Sequence, residues 1–77
     1  MESWNDRIVV DPKILVGKPV IRGTRIAVEL IIDLLARGYS RDQILEQYDH
    51  LTVDDVQACL AYASETLRSE RVNALPR

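Results

Sequence analysis

The sequence predicts a mainly α protein, in which a small N-terminal β segment precedes three helices of helix-turn-helix outline. Two observations carry this. The apolar period changes near Val28 from about two residues to about 3.6, the step from strand to helix. After that point, helix stop and start signals recur at Gly38, Ser40 and Thr52. A third observation, the length of 77 residues, allows one domain. We expect that domain to span 1–77, with a β segment at 8–27, helices over 28–69 and a flexible tail at 70–77.

Arg7-Ile8-Val9-Val10 is a β-branched run stopped by Asp11-Pro12, which reads as a strand and a turn. Ile14-Leu15-Val16 follows, closed by Gly17. Gly23-Thr24 then separates Val20-Ile21-Arg22 from Arg25-Ile26-Ala27. A two-residue loop with glycine first suits a type II′ hairpin turn. In that register Ile21 faces Ile26 and Arg22 sits opposite Arg25, a like-charge pair that calls for an offsetting group. Both arginines are either solvated or paired with carboxylates of the chain, or they hold an anionic partner.

Val28, Ile31, Leu34 and Leu35 mark one face of the first helix, and Leu30 and Ile32 extend it almost around the cylinder. So apolar a helix is hard to cover in a short chain, which predicts a second subunit or another partner. Leu30, Ile32 and Tyr62 are the expected interface residues. Arg37 and Gly38 stop this helix. Ser40-Arg41-Asp42-Gln43 has the form of a capping box, opening a helix that runs to about Tyr48 with Ile44, Leu45 and Tyr48 inward. Thr52 caps the third helix, and Asp54 and Asp55 complement its dipole. Val53, Val56, Leu60, Ala63 and Leu67 keep three-four spacing along it to about Ser69.

Composition limits the functions available. Hydrophobic residues are 47% and charged residues 29%, the balance of a folded domain rather than a disordered one. The single cysteine, Cys59, excludes an internal disulfide, and with one histidine a metal cluster is poorly supported. No run is apolar enough for a membrane span, and residues 1–7 lack a secretory pattern, so a cytoplasmic location is expected. The net charge of −2 means that any contact with nucleic acid rests on a local basic patch.

The best phosphate-contact candidates are Lys18, Arg22, Thr24, Arg25 and Arg41, with Lys13 beside them. A recognition helix reads bases with its N-terminal residues, and here Asp54 and Asp55 would meet phosphate repulsion. Gly17-Lys18 is no P-loop, because Pro19 follows where Ser or Thr belongs. His50 reads as a turn residue, Cys59 as a packing residue, and Trp4 and Tyr62 as interface anchors or core. No set of side chains supports an enzyme, and no cofactor is expected.

The segment "GKPVIRGTRI", followed in order by "G-x-S-x-x-x-I-L-x-x-Y" and "L-T-x-x-D-V", resembles domain-of-unknown-function family 433 over roughly residues 8 to 65. Ala27 and Asp49 stand where that family commonly has proline. The resemblance implies a homeodomain-like helical part behind a small β segment, usually dimeric. It also implies likeness to VapB-type antitoxins, which neutralise a PIN-like nuclease toxin and repress their own operon; no catalytic residue carries over. The expected function is therefore an antitoxin-like DNA-binding regulator. The alternative is an interaction module that inhibits or scaffolds a partner without touching nucleic acid.

Overall fold

Ile8–Val10 forms strand β1 and pairs antiparallel with β2, Pro19–Ile21, placing Ile8 opposite Ile21 and Val10 opposite Pro19. The structure is a computed structural model that describes residues 4–69; the expected tail at 70–77 lies outside them. Among the described residues the helices are α1 (Val28–Ala36), α2 (Arg41–Gln47) and α3 (Val53–Ser69), with short 3₁₀ turns at Trp4–Asp6 and Leu15–Gly17. The architecture is thus mainly α with a small two-stranded β segment near the N-terminus, as the sequence predicts.

The helix boundaries follow their caps. Gly38, at φ +99°, ends α1; its N–H donates to the Leu35 carbonyl and that of Tyr39 to the Leu34 carbonyl. This reciprocal pair satisfies carbonyls that the helix end would otherwise leave open. At α2 the capping box is complete: Gln43 N–H donates to Ser40 Oγ, and Ser40 N–H to Gln43 Oε1. Thr52 and Asp55 make the same exchange at α3, at 3.2 and 3.0 Å.

Both strands and all three helices supply buried side chains to one core: Ile8 from β1, Ile21 from β2, Val28 and Ile31 from α1, Ile44 from α2, and Val56, Ala58 and Cys59 from α3. The first helix packs against β2, α2 and α3, so Val28 and Ile31 are buried, Ile32, Leu34 and Leu35 half-buried, and Leu30 at its margin. Part of α1 is therefore covered within one chain, and Leu30 stays exposed.

The apolar stripe of α3 divides. Val56 and Ala63 turn toward the body, whereas Val53, Leu60 and Leu67 are exposed. The inward side includes Ala58 and Cys59. Trp4 reaches α3 from the N-terminal turn, stacking edge-on against Tyr62 at 4.8 Å and donating from Nε1 to Glu65 Oε1.

The hairpin expectation is right in register and wrong in turn. Val20 bridges Ala27, and Ile21 N–H donates to the Ile26 carbonyl, so Ile21 does face Ile26. The closing bond, however, runs from Thr24 N–H to the Ile21 carbonyl. That places Arg22 and Gly23 at the turn centre, and Gly23 at φ +81° in the third position is the geometry of a type II turn. The like-charge ladder is avoided because Arg22 turns away: its N–H and Nε donate to the carbonyls of Arg7 and Asp6.

Between the strands, Leu15, Val16 and Gly17 all have positive φ. Val16, β-branched at φ +56° and 92% exposed, gains little burial to offset that strain. Val16→Asn, which tolerates this conformation, is expected to raise unfolding free energy by about 1 kcal/mol in urea denaturation.

Candidate functional sites

Two surfaces carry several of the residues singled out above, and the structure separates them. The first lies where the hairpin turn meets the α2–α3 turn. Thr24, Arg25 and Ile26 line one side of an open cavity of about 670 Å³, Tyr48 and His50 another, and Ile14 contributes from the β1–β2 connection. Thr24 is occupied structurally: its hydroxyl donates to the Ile21 carbonyl at 2.7 Å and accepts from Ile26 N–H at 2.9 Å. Arg25 is exposed, and among the described residues no carboxylate lies within ion-pair distance of it.

The other phosphate-contact candidates do not gather there. Lys18 pairs with Glu29 at 2.7 Å, an exposed pair of little strength. Arg22 is held on the Asp6 carbonyl at 2.8 Å. Arg41 is exposed at the start of α2, away from the lining of this cavity. Of the five candidates, Thr24 and Arg25 thus share the cavity, whereas Lys18, Arg22 and Arg41 lie outside its lining.

The second surface is a groove of about 410 Å³ between α1 and α3, with Val28, Ile32 and Ala36 on one wall and Tyr62, Ala63 and Leu67 on the other. Glu29 and Asp33 edge it. Asp33 is paired with Arg37 at 3.0 Å, as Glu29 is with Lys18. Two expected interface residues, Ile32 and Tyr62, meet here. Leu30 does not; it lines a separate shallow surface with Ala27 and Asp33, since it points from another side of α1.

The acidic tip of α3 has an owner that sequence reading missed. Arg7, at the entrance to β1, places Nη1 3.2 Å from Asp55 Oδ1 and Nη2 3.5 Å from Asp54 Oδ2. Asp55 uses its other oxygen for the helix cap. The first turn of α3 is thus tied to the β segment. Cys59, wholly buried on the same helix, has its thiol pushed up to about 12, first by burial and then by the nearby Asp55 charge. It packs and does not react. Among the described residues no group of three or more His, Cys, Asp or Glu is placed to hold a metal ion, and no helix is long and apolar enough to cross a membrane.

A family model described as "Protein of unknown function (DUF433)" matches residues 8–63, which hold both strands, α1, α2 and most of α3. The chain belongs to the DUF433 family. A crystal structure of a DUF433 member from Anabaena variabilis ATCC 29413 superposes with a TM-score of 0.77 at 27% identity, covering 82% of this chain and 62% of that one. The uncharacterized protein y4eO of Sinorhizobium fredii is 34% identical over 65 residues, 83% of this chain but 29% of that protein. An uncharacterized protein of Archaeoglobus fulgidus is 67% identical over 24 residues, 31% of this chain and 67% of that protein. The DUF433 chain thus spans under a third of the Sinorhizobium protein's length.

Thr24 holds the hairpin turn from both sides, so Thr24→Ala is expected to lower stability by about 1–2 kcal/mol in chemical denaturation. A stability unchanged within error would mean that the hydroxyl is free for a ligand instead.

Proposed function

We propose that this DUF433 chain is an antitoxin-like regulator: a cytoplasmic, dimeric protein that holds a PIN-like nuclease in its α1–α3 groove and meets operator DNA with the cations of its turns. The observation that carries the proposal is the groove. Ile32 and Tyr62 converge in it, and Leu67, 69% exposed, extends it along α3. An apolar cleft with a polar rim matches the anatomy of a protein interface. Its volume falls in the range of pockets that seat apolar anchors. Leu30, on another side of α1, is the remaining residue for contact between two copies.

The DNA half rests on Arg25 and Arg41, the candidates that no carboxylate engages among the described residues. A second reading, an interaction module without nucleic acid, is favoured by the net charge of −2 and by the engagement of Lys18 and Arg22. A gel shift on the protein's own upstream DNA, with and without the partner, separates the two. Binding that weakens with salt supports the regulator; its absence in both conditions leaves the module.

Ala36 and Leu67 are both exposed in the groove, so the double substitution Ala36→Glu, Leu67→Asp is expected to spare the fold. It should weaken capture of the proposed PIN-like nuclease by about tenfold or more, measured by calorimetry, with an unchanged circular dichroism spectrum. Wild-type inhibition of the nuclease by this variant would remove the groove from the proposal.

A further inference from the structure

The cavity between the hairpin turn and the α2–α3 turn shares Arg25 with the operator reading, but combines it with an aromatic and apolar lining that neither the groove nor the operator reading uses. We propose that it is a nucleotide site, taking one phosphate at its rim and a flat base on its floor. The rim supplies positive and hydrogen-donating groups. Arg25 is exposed beside Thr24, and exposed His50, on the turn that follows α2, lines the same cavity. The main-chain N–H groups of Gly23 and Arg25 have no acceptor among the described residues, whereas the intervening Thr24 N–H is spent on closing the turn. Backbone donors at a turn and a forked guanidinium together match a phosphate better than a single carboxylate.

The floor is of a different kind. Tyr48 supplies an aromatic ring, and Ile14 and Ile26 supply apolar surface. Bases stack on such rings with little regard to sequence, while the phosphate stays in water at the edge. No carboxylate is among the described residues lining the cavity, although Asp49 lies between Tyr48 and His50 in the chain. The volume of about 670 Å³ accommodates a nucleotide, within the ~300–1,000 Å³ of small-ligand pockets. Residues from three separate stretches meet here, so the site exists only in the folded chain. Gly23 is required at φ +81° to turn the backbone toward it.

The site does not depend on operator binding, because a free nucleotide presents the same phosphate and base as one in a strand. The test is a two-dimensional ¹H–¹⁵N NMR titration of the full chain with adenosine monophosphate, a short single-stranded oligonucleotide, and inorganic phosphate. We expect saturable shifts of the Gly23, Thr24 and Arg25 amides with the nucleotide, at least fivefold weaker with Arg25→Ala or His50→Ala. Arg68→Ala, which removes the same charge from the far part of α3, should leave the affinity unchanged. An oligonucleotide that binds tenfold more tightly than the mononucleotide assigns the site to a strand, and equal affinity assigns it to free nucleotides. No saturable shift with either, or phosphate binding as well as the nucleotide does, overturns the proposal. A failed gel shift alone leaves it standing, so its failure and that of the operator reading are distinguishable.

Discussion

The carboxylate of Asp55 holds two parts of the chain together at once. One oxygen accepts from the Thr52 N–H and closes the cap of α3, and the other faces the Arg7 guanidinium at the entrance to β1. A side chain 13% exposed, with a partner about one-third exposed, loses less to solvent than a pair standing on the open surface. The contact joins positions 48 residues apart. It sets where α3 starts against the sheet, and Trp4 repeats the attachment farther along the helix, at Tyr62 and Glu65.

From that fixed α3 the rest follows. With its first turn held against β1, α3 crosses α1 at the height where Val56, Cys59 and Ile31 fill the core. Beyond the core α3 continues with Leu60 and Leu67 uncovered, and the gap it leaves against α1 is the groove. At the opposite turns, the loop between α2 and α3 brings Tyr48 and His50 to the hairpin. The tip that a DNA-reading helix would present is committed to the β segment. This is why the cations and apolar surfaces discussed above lie on turns and on the α1–α3 flank.

Local chemistry was readable in the sequence, and contacts between distant residues were not. Ser40 with Gln43, Thr52 with the aspartates, and Gly38 all announce helix ends, because each acts through bonds within four residues. The register of Ile21 on Ile26 was readable for the same reason. The turn type was not: Gly23-Thr24 fits a two-residue loop by spacing, whereas the Thr24 hydroxyl bonds to Ile21 and Ile26, together with the Arg22 bonds to Arg7 and Asp6, favour the wider turn. The positive φ angles at Leu15 and Val16 leave no mark in residue type. Arg7, and the meeting of Ile14, Arg25 and His50, depend on how strands and helices pack, and no spacing rule encodes them. The α1 circumference does not show which sides are covered: β2, α2 and α3 pack on it within one chain, while the groove and Leu30 stay open.

The attachment of α3 through Arg7 and Asp55 is open to a double-mutant cycle, with Arg7→Ala, Asp55→Ala and the double variant unfolded in urea at low salt. The cycle cancels the cap that Asp55 also provides, because Asp55 is replaced in both backgrounds. A coupling free energy of about 1 kcal/mol that shrinks as salt is added is the predicted result. Strictly additive losses at every salt concentration would contradict the view that this pair positions α3.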